Sequence, residues 1–515
     1  MPKDLPTEVA DPRAAGVVPG IGLSPADRRW FGHPRGLGTL FFTEMWERFS
    51  YYGMRALLVL FMVDATSGAN PGLGFSVSKA GALYGLYTAM VYLLALPGGW
   101  IADKLLGQRK AVFIGGCIIA SGHFSMVIPT IATFYLGLGL IVIGTGLLKP
   151  NISAMVGDLY PEGGARRDAG FSIYYMGINL GGFLGPLLCG LFGESYNWHL
   201  GFSLAGIGMV AGLIQYRMGG KFLGSAGQLT TDDDAVTRAQ RAVNFYKTLA
   251  VIGVIAIAVV ALVASGVIVV ALESVAHGLG VVIVALAIAY FAYLLLAGGH
   301  TAQEKKRLVV IFWLFILAAI FWSGFEQAGS SMNLFAERLT DRVVLGWEAP
   351  ASWLQSINSF FIVLMAPVFA LLWTWLARRN ANPSMALKFG LGLLGLAAGF
   401  FVLAWGAANA SPENPVSPSW LVVTYFLHTC GELALSPVGL SSMTKLAPRG
   451  RVGQMMGVWF MASALGSLIA GLAAGFLETL APSALFSNVA MIVGAAGLIA
   501  VLASPFFKRL TGGVQ

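Results

Sequence analysis

Long apolar segments follow one another along almost the whole chain, and they constrain its fold more than any other feature. The 515 residues are 57% hydrophobic and 11% charged, whereas soluble domains carry about a quarter charged residues. About twenty apolar residues in a helix cross a bilayer, and backbone polar groups in lipid must be satisfied within the segment. The sequence therefore predicts an all-α membrane protein with fourteen transmembrane helices, at 39–63, 79–102, 110–129, 131–156, 168–193, 199–218, 245–266, 275–297, 307–335, 350–376, 384–406, 419–443, 452–474 and 482–506.

Basic residues are distributed unevenly between the connections. Most of the 32 Lys and Arg residues lie at the termini and in alternate loops, such as the pair Arg109 and Lys110. The intervening loops hold only Lys79, Arg338 and Arg342. This is the positive-inside asymmetry of a multi-pass protein, so we expect a cell (inner) membrane location with both termini in the cytoplasm. The net charge of +8 then follows from topology, and no nucleic-acid partner is expected.

The chain also contains an internal repeat. Pro150 and Pro161 after the fourth span have the same spacing as Pro437 and Pro448 near the twelfth, and each pair precedes a short basic loop. Repeated halves with a site between them are a common transporter plan. We therefore expect a disordered cytoplasmic tail (1–35), a six-helix bundle (36–218), a cytoplasmic linker (219–244), an extra helix pair (245–297) and a second six-helix bundle (298–515).

Seven charged residues lie inside the predicted spans. One ionised group at bilayer depth costs at least ~2.5–3.5 kcal/mol, so such groups mark wet, functional interiors. Those of the first span follow each other at steps of three and four residues and share one helix face. The set contains four acids and three bases, which leaves one carboxylate without a basic partner and able to bind a proton. Its members are Glu44, Glu47, Arg48, Arg55, Lys149, Glu326 and Glu432.

Neutral polar and aromatic residues lie near the middle of the same spans. With opposite charges on facing halves, they suggest a cavity for a small zwitterion: cations suit a carboxylate, Glu432 suits an ammonium, and aromatic rings wall apolar pockets. The set is Tyr51, Tyr52, Tyr92, Asn179, Trp322, Asn358 and Trp459.

The histidines and cysteines within the predicted spans are interpreted as structural residues. We interpret His123 and His428 as hydrogen-bonded residues between helices, and three dispersed cysteines predict neither disulfides nor a metal site. The sequence has no Ser–His–Asp set, metal-ligand cluster or phosphate loop, so we do not expect an enzyme. A receptor or scaffold without turnover is a further alternative, and it predicts binding without accumulation.

Several motifs resemble known families. The loop GGWIADKLLGQRK, with Asp103, resembles the signature loop of the major facilitator superfamily. TEMWERFSYYG matches the E-x-x-E-R-F-x-Y-Y-G pattern of the proton-dependent oligopeptide transporter (POT) family, and FSIYYMGINLGG, GLLKPN, FWSGFEQ and GELALSPVGL resemble further motifs of that family. The resemblance implies two six-helix bundles plus two inserted helices. It also implies a monomeric symporter that imports di- and tripeptides with protons, with nitrate or another small organic solute as the alternative cargo.

The resemblance also assigns roles to individual residues. It implies proton coupling by Glu44, Glu47, Arg48 and Glu326; substrate binding by Tyr51, Tyr52, Arg55, Tyr92, Lys149, Asn179, Trp322, Asn358, Glu432, Ser436 and Trp459; and gating by Arg55, Glu326, Lys149, Glu432 and Asp103. The proton is the coupling ion, and no other cofactor is implied. Two positions depart from the family pattern: the second span holds no His, and Ser359 follows Asn358 where Pro is expected.

Overall fold

The computed structural model describes residues 27–229 and 235–512, which are overwhelmingly helical. The first half of the chain forms α1 (Arg35–Val63), α2 (Val77–Leu93), α3 (Ala95–Ile101), a π-helical turn (Ala102–Leu106), α4 (Gln108–Ser125), α5 (Ile131–Asp158), α6 (Gly164–Ser195) and α7 (Trp198–Gly219). The helices that follow are α8 (Ala235–Ala264), α9 (Leu272–Leu296), α10 (Ala302–Phe325), α11 (Ser331–Leu339), α12 (Ser356–Arg378), α13 (Met385–Ala408), α14 (Ser419–Leu446), α15 (Val452–Ala474) and α16 (Pro482–Leu510). A small antiparallel pair, β1 (Val343–Val344) and β2 (Trp347–Glu348), lies in the connection before α12.

The predicted fold class is confirmed. Twelve helical segments in the described part of the chain are long and apolar enough to cross a membrane, and α1 and α4 pack among them. In the first half, α1 contacts α6 and α7, and α4 contacts α5 and α7. In the second half, α13 contacts α14 and α16, and α10 contacts α15. The two halves meet where α2 packs on α15 and α6 packs on α12.

Glycine allows the close approach between the halves. A Cβ on Gly81 of α2 would lie 2.3 Å from the carbonyl oxygen of Gly471 on α15. A Cβ on Gly190 of α6 would lie 2.0 Å from the hydroxyl of Ser352, just before α12. In a membrane the hydrophobic effect does not drive helices together, so their association depends on close packing. Small residues at such crossings allow the helix backbones to touch.

The inserted helices differ in how they pack. α9 contacts α2, α10 and α15 and buries a stripe of apolar side chains: Ala276, Ile283, Ala287, Phe291 and Leu294. The apolar stretch of α8 is exposed along its length; Val254 and Ile257 are 67% and 72% exposed. A helix with this composition and no packed face in the protein is suited to lipid.

Some predicted boundaries differ from the structure. α8 begins at residue 235, inside the predicted 219–244 linker. Residues 1–26 of the predicted tail lie outside the described residues, but from residue 27 the chain has structure, with Trp30 and His33 paired across a turn. The predicted span 307–335 is interrupted, because a 3-10 turn at Glu326–Gly329 separates α10 from α11.

The two ends of the bundle differ. We call the end where α1 begins and α16 finishes the terminal end, and the opposite one the far end. At the far end the halves are hydrogen-bonded, from Trp353 Nε1 to the carbonyl of Leu187 (2.8 Å) and from Ser356 Oγ to that of Phe183 (2.8 Å). Towards the terminal end, Ala154 of α5 and Leu440 of α14 are exposed. The bundle is therefore closed at the far end.

Candidate functional site

A cavity lies between the two halves, with about 170 Å³ of space open to water. Side chains from both halves form its wall, and eight of the predicted substrate-binding residues line it: Tyr52, Arg55, Tyr92, Asn179, Trp322, Asn358, Glu432 and Ser436. Glu326 also lines the wall. The structure therefore brings together at one site residues that are as far apart in the sequence as Tyr52 and Ser436.

The acidic and basic groups of α1 form a compact network beside this cavity. Arg48 binds Glu47 through both ends of its guanidinium; its Nη2 donates to Oε1 at 2.6 Å, and its Nε donates to Oε2. The same Nε lies 3.3 Å from Glu44, one helical turn earlier. All three side chains are almost fully buried. Adjacent and i,i+4 spacing on a helix places these groups within reach of one another, and the one guanidinium offsets the charge of one of the two carboxylates.

A second ion pair crosses between the halves. Arg55 Nη2 of α1 lies 2.9 Å from a carboxylate oxygen of Glu326, at the break after α10. Arg55 Nε also donates to the hydroxyl of Tyr84 at 2.7 Å, and that hydroxyl donates to the backbone carbonyl of Glu326 at 3.2 Å. The break after α10 therefore supplies both a carboxylate and a carbonyl to α1 and α2.

The remaining charges lie on opposite sides of the site. Asn358 donates through Nδ2 to Glu432 (3.3 Å) and to the hydroxyl of Thr429 (2.9 Å). Lys149 Nζ lies 4.8 Å from the centre of the Tyr92 ring. Within the described residues, these two predicted gating residues, Lys149 and Glu432, form no ion pair with each other.

Three predicted binding residues lie outside the cavity wall. Tyr51 stacks on Tyr87 with ring centres 6.3 Å apart, next to Arg48 rather than the cavity. Trp459 is buried against Phe389 and would contact any side chain at Gly439. Lys149 reaches the wall only through Tyr92.

The loop that carries Asp103 is anchored to the rest of the first half through a basic residue. Asp103 is exposed on the π-helical turn and forms no ion pair within the described residues. Arg109 anchors the loop instead, donating from Nε to the carbonyl of Ala226 (2.7 Å) and from Nη2 to that of Gly224 (2.5 Å). The contact therefore joins the start of α4 to the segment after α7.

Several wall residues were not predicted. These are Tyr175, Gln355 and Tyr425, along with His428 and apolar neighbours. Tyr175 lies one turn before Asn179, whose side chain donates to its carbonyl at 2.9 Å, so helical spacing was an available signal. His428 precedes Glu432 by one turn and touches both the cavity and Phe400. His123 does form the interhelical bond predicted for it, at 2.6 Å to Ser50 Oγ.

Ser359 is the residue found where the family pattern has Pro. Its hydroxyl lies 2.6 Å from where a Cβ on Gly182 would be, so α12 contacts α6 directly at this point. Within residues 27–229 and 235–512 no group of three or more His, Cys, Asp and Glu side chains is placed to hold a metal.

A bundle of two helical halves, closed at one end around a cavity with opposite charges on its walls, has the architecture of a secondary transporter. The comparisons with known proteins agree with this class. The POT family model matches residues 109–489, and the chain belongs to this family.

Two relatives and one solved structure illustrate the similarity. The chain is 43% identical over 507 residues to the peptide transporter YePEPT of Yersinia enterocolitica, covering 96% of this chain and 98% of the relative. It is 35% identical to a di-/tripeptide transporter of Lactococcus lactis subsp. cremoris, covering 96% and 99%. A crystal structure of a peptide transporter POT in complex with sulfate superposes with a TM-score of 0.86 at 40% identity, over 94% of this chain and 97% of that one.

Proposed function

We propose that this protein is a proton-coupled symporter that imports di- and tripeptides by alternating access. The observation that carries the proposal is the division of charge across the cavity, with Arg55 on the first half and Glu432 on the second. A short peptide is a zwitterion, so its two ends need opposite charges on opposite walls. The peptide-transporting relatives support the same substrate class.

The network of α1 supplies a route for proton coupling. While Glu47 is ionised, it holds both ends of the Arg48 guanidinium. A proton on Glu47 removes the charge that retains Arg48 and frees the guanidinium for a peptide carboxylate. Loss of the proton restores the ion pair and lowers the affinity for peptide. Proton and peptide therefore favour each other's binding, as linkage requires.

The bridge between Arg55 and Glu326 is proposed as the gate on the far side of the cavity. It joins the two halves at 2.9 Å in a bundle whose far end is closed by further hydrogen bonds. We place the terminal end in the cytoplasm of a cell with an inner membrane, which makes this conformation inward-facing. Opening towards the outside then requires this bridge to break and the pair of Lys149 and Glu432 to approach.

We propose that the neutral wall residues bind the amino end, the backbone and the side chains of the peptide. Asn179, Asn358 and Ser436 offer hydrogen bonds for the amino end and backbone, and Tyr52, Tyr92 and Trp322 shape pockets for side chains. No metal or organic cofactor takes part in this scheme, and we propose that one chain is a complete transporter in the lipid bilayer.

Uptake of labelled Ala-Ala into proteoliposomes tests the proposal. We expect uptake against a gradient when the outside is acidic and the inside negative, and its loss on adding a protonophore. Glu47→Gln should abolish this accumulation, because the neutral amide cannot exchange a proton. Uptake that survives both the protonophore and Glu47→Gln would refute the coupling scheme.

Competition separates peptides from other cargo of the same fold. Excess unlabelled Ala-Ala should block uptake, whereas nitrate should not, since an anion gains nothing from the Glu432 carboxylate. If nitrate blocks uptake at the same concentrations as unlabelled Ala-Ala, the result would favour nitrate or another small solute as the cargo.

A further inference from the structure

Two carboxylates hold the far end closed in ways that mirror each other. Glu194 is the second-last residue of α6, in the first half. Its Oε2 accepts from the backbone N–H of Ala351 at 2.7 Å, and its Oε1 accepts from that of Ser352 at 3.0 Å. These are the first residues of the helical segment 351–378, in the second half. One carboxylate thus uses both oxygens to join the halves.

In the second contact the glutamate belongs to the second half and the N–H donor to the first. Glu478 follows α15 in the second half, and its Oε1 accepts from the backbone N–H of Ser78 at 2.9 Å. Ser78 is the second residue of α2, in the first half. Helices α6 and α15 thus end in the same way, each with a glutamate bound to the start of the helix that it packs against.

Glycine on each helix brings the carboxylate to its partner. Gly190 lies one turn before Glu194 and contacts Ser352, and Gly475 lies three residues before Glu478, where a Cβ would be 3.0 Å from Ser78 Cα. Both glutamates therefore lie on the helix face that meets the other half. The closing segments GLFGE and GFLE carry this arrangement in the sequence.

We propose that Glu194 and Glu478 form a pair of carboxylate latches that hold the far end of the transporter closed. The proposal rests on the alternating-access function proposed above. Ionised carboxylates accept backbone N–H bonds more strongly than neutral acids do. A glutamine amide is uncharged and has a single acceptor oxygen, so it is the weaker acceptor at both positions. At Glu194 this change also gives up one of the two N–H bonds.

Water can reach both groups. Glu194 borders a separate far-end cavity of about 330 Å³, and Glu478 is exposed. The charged groups that share the cavity with Glu194 are Asp64, Glu337, Arg342 and Glu348. On the Glu478 side, Lys79 follows Ser78 in the first turn of α2.

The neighbouring acids have partners within their own half. Glu348 lies 2.7 Å from Arg342, and Asp64 accepts from Trp198 Nε1 at 3.2 Å. Removing the charge of either group therefore leaves the contact between the halves intact.

Distances between spin labels at the far end test the latches directly. Labels at Tyr196→Cys and Val344→Cys, exposed positions on opposite halves, are placed in a functional background without the three native cysteines. In nanodiscs at about pH 8, Glu194→Gln and Glu478→Gln should each raise the ratio of far-end-open to far-end-closed molecules about fivefold, and the double variant should multiply the effects.

Glu348→Gln is the matched control, because it neutralises an acid of the same cavity that does not join the halves. Its distance distribution should equal that of the parent. Parent-like distances in both latch variants, an equal shift in the control, or no open molecules in any sample would overturn the proposal.

Uptake by the same samples separates this inference from the proposed function. Normal Ala-Ala uptake with unshifted distances would overturn the latches alone. Absence of uptake in the parent would overturn the transport function. Melting temperatures of the variants, compared with the parent, show whether an effect comes from misfolding instead.

Discussion

Gly98 marks a point where two helices of the first half touch through their backbones. A Cβ on this residue of α3 would lie 1.9 Å from the carbonyl oxygen of Gly146 on α5. Because backbone cannot move aside as a flexible side chain does, we expect Gly98→Ala to destabilise the protein by about 1–3 kcal/mol or more. The loss of stability is measured by heating the protein in detergent and determining, by size-exclusion chromatography, the fraction that remains folded at each temperature.

The next residue provides the control. A Cβ on Gly99 meets no atom within 4 Å, and alanine is favoured over glycine in a helix by about 1 kcal/mol. Gly99→Ala should therefore melt at or above the temperature of the parent. Equal melting of Gly98→Ala and the parent would contradict the close contact.

At the level of single residues, charge was the most informative signal in the sequence. The cost of burying Arg55, Glu326 and Glu432 in a membrane forces them towards a shared polar interior, and the structure places all three on the cavity. Neutral aromatic residues carry no such cost. Tyr51 and Trp459 therefore could not be distinguished from wall residues by type, and they pack elsewhere.

At the level of elements, hydropathy located the spans but not their interruptions. The segment 302–339 passes as one span on mean hydropathy, which averages over the polar stretch at the break and so does not locate the 3-10 turn at Glu326–Gly329. That break depends on contacts from distant residues, such as the Tyr84 hydroxyl bound to the Glu326 carbonyl. The start of α8 at residue 235 was missed because its first turns are polar and resemble a linker.

The turn before α1 is an element with a pH-dependent attachment. His33 Nδ1 lies 2.8 Å from the Tyr160 hydroxyl in the loop between α5 and α6, and Arg166 Nη2 donates to the carbonyl of Asp27 at 2.5 Å. Partial burial and the charge of Arg166 lower the pKa of His33 from its usual 6.5, and burial raises the pKa of Tyr160 to about 12. His33 therefore docks in its neutral form.

The sign of the pH effect follows from this shift. Above pH 6.5 the histidine is neutral whether docked or free, and docking is at full strength. As the pH falls below that value, the free turn binds the proton more readily than the docked one, so docking weakens. We expect faster hydrogen exchange at residues 27–34 at about pH 5.5 than at about pH 7.5, after correction for intrinsic rates. His33→Asn should remove this difference; its persistence would refute the role of His33.

At the level of the whole molecule, the pair α8 and α9 lies outside the two-half plan. α9 covers the junction of α2 and α15 with apolar side chains, and Tyr290 donates to Gln454 at 2.7 Å. None of the described residues of α8 and α9 belongs to the central cavity wall. We therefore assign the proposed transport cycle to the two six-span halves.

Excision of residues 230–297, replaced by a Gly/Ser linker, tests this division. Lipid tails are as apolar as the side chains of α9 and can cover α2 and α15 in its place. We expect a folded protein that accumulates Ala-Ala with an unchanged KM and melts at a lower temperature, because the packing of Phe291 and Leu294 is lost. The full chain with the same linker inserted after residue 229 controls for the joint. A monodisperse excised protein that binds Ala-Ala but does not transport it would mean that the pair takes part in the conformational change, through the contact of α9 with both α2 and α15.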